Sequence, residues 1–410
     1  MESSASIIIV TYNSAHTISD CILSVVKTLR SQDEVMVIDN NSQDNTLELL
    51  DRLRPNLPEN IHILPQSQNY GFSRGCNIGI KNSSKKYVIL LNPDTEVMGE
   101  WIQRLTDHFT YYRDTGAVGP LSNSCITTQL ISTYIQNWNE FDLNSAQLLE
   151  ILYKTFNRRS IPTKVLIGFC MALRRDLIDE WGGLDEDIFL GDDDLDLSWR
   201  LREKGYWLRL ALDVYIDHHR QVSFNTLPKS YSNKLLAESS DVLFEKMRQY
   251  YHPKKVPDPR IYFGIGWWQP TILRSKSPEE VFESDLLPCP HEDIIPTVQQ
   301  LIKGKEIEQA IELLRNSLAI IVNDHRLWFA LGTLCLKTNQ REEAEFALKN
   351  AWSLQFYNGK AAEKLKILLK SSGREEEIDT LFCIKNAMKP TIPNPKSVNQ
   401  LNCEDSRFLK

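Results

Sequence analysis

The chain has 410 residues, of which 42% are apolar and 25% charged, and its net charge is −7. At about 100–200 residues per domain, that length predicts two or three domains, and the balance excludes a wholly disordered or collagen-like chain. The acidic excess argues against a general coat for nucleic acid or an anionic membrane.

Residues 1–14 (MESSASIIIVTYNS) lack a basic leader and carry a short apolar run. They read as the opening of a strand rather than a signal peptide. The longest apolar stretches, such as 165–173, fall well short of the ~18–20 residues that span a bilayer. The eight cysteines contain no C-x-x-C pair and no zinc-like spacing, so they read as reduced, mostly buried thiols. A cytoplasmic protein, or one peripheral at the inner membrane face, is expected.

In chain order, residues 6–10 form a strand candidate, and 16–29 carry Ile18, Ile22, Val25, Val26 and Leu29 at helical spacing. Residues 34–38 read as a second strand and 44–53 as a second helix, with Ser42 or Asp44 placed to cap it. A strand at 61–64, a helix at 73–81 and a very apolar strand at 87–91 follow. Strand–helix alternation of this kind predicts a mostly parallel sheet covered on both faces, with ligands at the carboxyl ends of the strands. Residues 121–163 show little periodicity and predict a variable, partly helical insertion. A strand at 165–173, an acidic segment, a helix at about 195–204 and a strand at about 207–217 come next. An amphipathic stretch at 235–251 leads into a Pro- and aromatic-rich link.

After Pro290 the composition turns to Leu, Ala, Glu and Lys with helical spacing. Trp328, Leu331, Gly332, Ala344 and Ala351 occupy relative positions 4, 7, 8, 20 and 27 of a 34-residue unit. Steps of one unit from Ala344 land on Ala310 and Ile378, and the segments KGK, TNQ and SSGR fall in register. This pattern resembles tetratricopeptide repeats, whose helix pairs stack because one pair cannot bury its own apolar face. The expected division is 1–225 for the α/β domain, 226–290 for a helical and aromatic linker packing on it, 291–392 for the repeats and 393–410 for a tail.

Four polar clusters follow predicted strands: Thr11-Tyr12-Asn13, Asp39-Asn40-Asn41-Ser42-x-Asp44, Asn92-Pro93-Asp94-Thr95-Glu96, and the acidic run Asp192 to Asp196. His218 and His219 end the last strand. Singly, each has a plain structural reading as a cap, a turn or a solvated helix start. Together they crowd carboxylates on one sheet edge, where like charges repel unless a cation sits among them. Carboxylate and imidazole groups without thiolate suit Mn²⁺ or Mg²⁺, which in such a sheet usually bridges nucleotide phosphates.

With these motifs in place, residues 6–220 resemble a family 2 glycosyltransferase of the GT-A, Rossmann-like fold, in its rhamnosyltransferase-like branch. The matching stretches are SIIIVTYN, VMVIDNNSQDNT, NYGFSRGCNIGI, YVILLNPDTE, GFCMALRRDLIDEWGGLDEDIFLGDDDLDLSWRLREKGY and DHH. The resemblance implies a UDP- or dTDP-sugar donor. Asp39 matches the residue that bonds the pyrimidine base, and Thr11, Tyr12 and Asn13 match the loop around base and ribose. Asn69, Arg74 and Asn92 are expected among the donor contacts. Asp94 matches the last carboxylate of the D-x-D metal motif, whose first position is Asn92 here. Asp194 takes the place of the general base, with Asp193 standing where the family has Glu. His218 matches the late histidine of the metal site, with His219 as the alternative.

Such a site implies inverting transfer to a hydroxyl of a glycan or lipid-linked glycan, or to a protein acceptor recruited by the repeats. Two other classes compete. One is a repeat scaffold with an inactive transferase domain. The other is a dinucleotide-dependent oxidoreductase, which would want G-x-G-x-x-G where this chain has VTYNSA.

Overall fold

In the computed structural model the chain folds into two compact units: Met1–Ser160, Val165–Lys254 and Trp268–Val281 form the first, and Ile161–Lys164, Lys255–Trp267 and Phe282–Lys410 the second. The structure describes residues 3–125, 128–131, 145–219, 229–252, 256–257, 259–263, 286–287, 294–320, 325–354 and 359–375. Most of the expected aromatic link, the repeat match at Ile378 and the tail lie outside them.

The first unit opens with β1 (Ala5–Thr11), α1 (Ile18–Thr28), β2 (Glu34–Asp39), α2 (Thr46–Leu53), β3 (Ile61–Pro65), α3 (Phe72–Lys81) and β4 (Tyr87–Leu91). β5 (Thr95–Glu96), α4 (Trp101–Tyr111), β6 (Thr115–Ser122), α5 (Ser145–Phe156) and β7 (Cys170–Arg174) follow. α6 (Arg175–Trp181), α7 (Asp193–Glu203), β8 (Trp207–His218) and α8 (Lys229–Tyr251) complete it. The strands hydrogen-bond in the order β3-β2-β1-β4-β7-β6-β8-β5. β1 to β4 run parallel; β7 is antiparallel to β4 and to β6, and β8 is parallel to β6. Two reversals restore the direction, so β1, β2, β4, β6 and β8 all finish at one edge.

The alternation of the strand sequences sorts the core into two layers. Ile7, Ile9, Val35, Val37, Ile89 and Leu91 face α1 and α4 residues such as Ile22, Val25 and Trp101. Ile8, Val10, Met36, Ile38, Val88 and Leu90 face Cys76, Ile80, Leu177 and Leu197 on the other side. Each fully buried side chain of this kind contributes about 1.5–3 kcal/mol. α3 lies close on β1 and β2 because Gly75 and Gly79 turn toward it. A Cβ on Gly79 would stand 2.5 Å from Ile8 Cγ2, so any larger residue pushes the helix off the sheet.

The expected strand at 165–173 is shorter than its apolar sequence promised and begins at Cys170. Residues 166–169 run instead as a loop with side chains on its amides: Leu166 N–H donates to Ser198 Oγ and Ile167 N–H to Gln129 Oε1, at 3.4 and 2.6 Å.

The second unit contains α9 (Ile294–Lys303), α10 (Ile307–Ile320), α11 (His325–Lys337), α12 (Arg341–Leu354) and α13 (Gly359–Ser371), each packed on the next. Ala310, Leu314, Trp328, Leu331, Ala344, Leu348, Ala351 and Leu365 are buried between them. Three turns repeat one geometry. Lys305, Asn339 and Gly373 have φ of 65°, 63° and 69°. The following amides, of Glu306, Gln340 and Arg374, bond back to the carbonyls of Leu301, Cys335 and Leu369 at 2.9, 2.8 and 3.0 Å.

Among the described residues, no helix is long and apolar enough to cross a membrane.

Candidate active site

The β1 and β2 ends form the first wall. Thr11 and Asp39 are register partners, and Asn40 N–H donates to Thr11 O at 2.8 Å. Asp39 is buried and accepts Ser42 Oγ–H on Oδ1 at 2.6 Å and Ser42 N–H on Oδ2 at 3.2 Å. Asn13 has φ of 53° and is locked to the neighbouring loop in both directions. Its N–H donates to Ser42 Oγ at 3.0 Å, and its Oδ1 accepts Gln43 N–H at 2.7 Å. Asp44 accepts the Thr46 hydroxyl and the N–H groups of Thr46 and Ala15, and these bonds, the hydroxyl's first, hold its carboxyl below the usual range against the effect of burial. Its position is that of a structural tie. Asn69 Oδ1 accepts Gly71 N–H at 2.9 Å, and Gly71 O accepts Asn40 Nδ2–H at 2.8 Å, which links this loop to α3. Arg74 is half-exposed, over the Tyr70 ring and 3.6 Å from Glu186.

The second wall holds the Asp94–His218 pair. Thr95 and His218 are register partners in β5 and β8, which sets their neighbours side by side. His218 Nδ1–H donates to Ser124 O at 3.0 Å, and its backbone N–H donates to Asn123 Oδ1 at 2.9 Å. In its neutral form the ring then presents Nε2 as an acceptor. That nitrogen stands 3.4 Å from Asp94 Oδ1, a buried carboxylate oxygen without a hydrogen-bond partner. Two acceptors facing each other across a buried gap fit a cation of the Mn²⁺ or Mg²⁺ kind. Among the described residues no group of three or more His, Cys, Asp or Glu converges as a metal cage. Of the described residues, Asp94 and His218 are the two that would ligate it. His219 turns aside and pairs with Glu96 at 2.7 Å. Asn92 meets the site through its backbone, which receives Thr95 Oγ–H on its carbonyl and donates N–H to Phe169 O at 2.8 Å.

The acidic turn forms the third wall. Asp194, in the first turn of α7, accepts Gly168 N–H on Oδ2 at 3.0 Å and Leu195 N–H on Oδ1 at 2.8 Å. Burial pushes its carboxyl up to about 6 while those two amides work in the opposite direction. Burial and the adjacent Asp194 charge push Asp193 well above the carboxylate range. Asp192, expected to be solvated, is buried. It sits at φ 62° as the helix N-cap and accepts Ser240 Oγ–H from α8. Asp196 is a structural acceptor, bound by Arg200 Nε at 2.7 Å and Lys246 Nζ at 2.6 Å.

One dipeptide joins the second and third walls. Gly168 gives its amide to Asp194, while the Phe169 ring stacks on His218 with centroids 5.0 Å apart. Sequence reasoning missed the roles of Gly168, Phe169, Asn123, Ser124 and Ser42. The polar SNS run after β6 and the quoted GFCMALRRD stretch were the available signals. Thr11 Oγ1 and Asn40 Oδ1, like Asp94 Oδ1, are buried without a partner. Each such orphan costs about 1–3 kcal/mol, and their gathering at one sheet edge is what a ligand-completed site requires.

The fold is that of an α/β protein whose polar clusters gather at the carboxyl ends of its strands. Residues 6–182 match the family described as Glycosyl transferase family 2, and the sheet is of GT-A type. The glycosyltransferase AglE of Haloferax volcanii is 27% identical over 213 residues, covering 51% of this chain and 64% of that protein. A poly-beta-1,6-N-acetyl-D-glucosamine synthase of Staphylococcus aureus is 25% identical over 199 residues, covering 48% and 45%. The chain thus matches less than two thirds of the length of these relatives. Among solved structures, the mannosyltransferase PcManGT of Pyrobaculum calidifontis, in complex with GDP-Man and Mn²⁺, aligns over 93% of this chain and 86% of its own, at 16% identity and a TM-score of 0.43.

Proposed function

We propose that the chain is an inverting, metal-dependent glycosyltransferase that moves a sugar from a UDP- or dTDP-linked donor to a hydroxyl acceptor. The observation that carries the reading is the acceptor pair Asp94–His218, joined through Gly168–Phe169 to the Asp194 carboxylate. The family 2 domain supports the same chemistry.

In this reading Asp39 receives the N3–H of the pyrimidine, with Thr11, Tyr12 and Asn13 around base and ribose. Asp94 and His218 would hold Mn²⁺ or Mg²⁺, which when bound neutralises charge on the leaving diphosphate. The acceptor oxygen attacks the anomeric carbon as the bond from that carbon to the diphosphate breaks, and the electron pair leaves with the diphosphate. Asp194 takes the hydroxyl proton. Its two amide bonds aim the carboxylate, and its raised proton affinity suits a base working near neutrality. A single base opposite the leaving group gives inversion. The acceptor is a glycan or lipid-linked glycan, met in the cytoplasm or at the inner membrane face. Rhamnosyl donors belong in the tested set because of the sequence branch.

A second reading, transfer onto a protein recruited by a tetratricopeptide-like second unit, is favoured by one feature of that unit. An apolar groove of about 370 Å³ between α9 and α11 is lined by Val298, Ile302, Phe329 and Ala330.

The test is a thermal-shift screen of UDP-glucose, UDP-GlcNAc, dTDP-rhamnose and GDP-mannose, each with and without Mn²⁺, followed by product analysis with the stabilising donor. A pyrimidine sugar should raise Tm in a Mn²⁺-dependent way, and Asp94→Asn should lose the Mn²⁺ dependence while staying folded. Asp39→Ala should weaken pyrimidine nucleotides selectively. Equal stabilisation by GDP- and UDP-sugars, or a shift that ignores Mn²⁺, overturns the reading.

A further inference from the structure

The acidic turn that carries Asp193 and Asp194 is held from behind by one face of α8. Leu190 N–H donates to Ser239 Oγ at 3.3 Å, and Ser240 Oγ–H donates to the buried N-cap Asp192. One and a half turns further along, Lys246 Nζ stands 2.6 Å from Asp185 Oδ2 and 2.6 Å from Asp196 Oδ1. At the end of the helix, Tyr251 Oη accepts Trp199 Nε1–H at 3.2 Å. Residues 239, 240, 246 and 251 thus bond the loop before α7, its N-cap, its first turn and its middle.

Lys246 is the centre of this face. Asp196 is 1% exposed, and its other oxygen is taken by Arg200, which also donates from Nη1 to Gly183 O at 2.9 Å. Asp185 opens the loop that leads to the acidic turn, and Asp196 closes the turn two residues after Asp194. The ammonium therefore ties both ends of the segment 185–196 to one point on α8. Removing it leaves Asp196 with a single cation and releases the loop end, the situation in which a buried charge is most expensive.

We infer that Lys246 is a positioning residue for the proposed base, fixing the first turn of α7 so that Asp194 keeps its amide bonds and its aim. The inference rests on the reading of Asp194 as the base. It concerns the chemical step and not the donor pocket, because Lys246 bonds to neither the Asp39 loop nor the Asp94–His218 pair. A lysine on a helix far along the chain is thereby given a part in turnover that its own motif does not announce.

The test measures nucleoside diphosphate released to water, in Mn²⁺, from whichever donor of the screen the wild-type chain turns over. Lys246→Met keeps the aliphatic stem and removes the charge. Its kcat should fall about tenfold with donor KM within about twofold, the signature of a misplaced reacting group. Lys246→Arg should recover most of the loss. Ser240→Ala, which removes a separate bond to the same turn, should lower kcat in the same pattern and serves if Lys246→Met does not fold. Asp194→Asn is run beside them. Near-full turnover by Asp194→Asn refutes the base reading itself. An inactive Asp194→Asn beside an unimpaired Lys246→Met, or a Lys246→Met or Ser240→Ala that loses kcat and donor affinity together, refutes the positioning role alone.

Discussion

Asp193 and Asp194 are neighbours in one acidic turn, and their surroundings differ. Asp194 has an amide on each oxygen, so part of the penalty of burial is offset and its carboxyl settles at about 6. Asp193 is pushed well above the ordinary carboxylate value by burial and by the Asp194 charge beside it. Two consequences have opposite signs. A base must be deprotonated, so kcat should rise with pH up to about 6 and then level. Stability moves the other way. Between the ordinary carboxylate value of 3.8 and about 6, the folded chain holds a proton that the unfolded chain has released, so stability falls as pH rises through that window. At pH 7 Asp193→Asn should therefore raise Tm by about 2–4 °C while reducing turnover. Calorimetry on the variant checks the sign, and a lower Tm would mean that the Asp193 carboxyl makes a stabilising bond that the amide cannot replace.

At the scale of elements, the three repeated turns offer a clean comparison, because the same left-handed position is filled by Lys305, Asn339 and Gly373. A side chain with a Cβ is strained there, asparagine less so, and glycine not at all. Lys305→Gly should stabilise by about 0.5–1 kcal/mol, Asn339→Gly by less, and Gly373→Ala should destabilise by about 1 kcal/mol. Urea midpoints give the order, and a lower midpoint for Lys305→Gly would contradict the left-handed turn. Elements with clean periodicity were legible in the sequence. β1, β2 and β4 alternate or run wholly apolar, and their observed ends fall within one residue of those read from the pattern. β6 was not legible, since TGAVGPLS carries two glycines and a proline where a strand ordinarily has branched residues. Residues 166–169 failed in the opposite way. They are apolar enough for a strand, but distant side chains take their amides.

On the scale of the whole molecule, the first unit's core is layered on a sheet and the second unit's apolar side chains are buried between helices. Calorimetry should show two transitions, and UDP with Mn²⁺ should raise the one belonging to the first unit and leave the other in place. Movement of both by the same amount would mean that the units unfold as one. The shared sheet edge also explains how much of the site could be read in advance. Asp39 and His218 end strands and Asp94 follows one, all at a common edge, so topology gathers them, and Asp94 and His218 lie 3.4 Å apart. Asp192 could not be read that way. Its partner Ser240 lies 48 residues along on a helix whose sequence carries no cue to the pairing.

The three turns of the second unit also decide which damage stays local. Each closes its backbone onto the helix just before it, so a change in one turn leaves the closure of the other two in place. The side chains cross farther: Arg315 on α10 donates to Gln340 Oε1 in the second turn at 2.8 Å, and Arg374 after the third reaches Glu345 on α12 at 2.7 Å. A substitution at either arginine therefore loosens neighbouring helices without opening a turn.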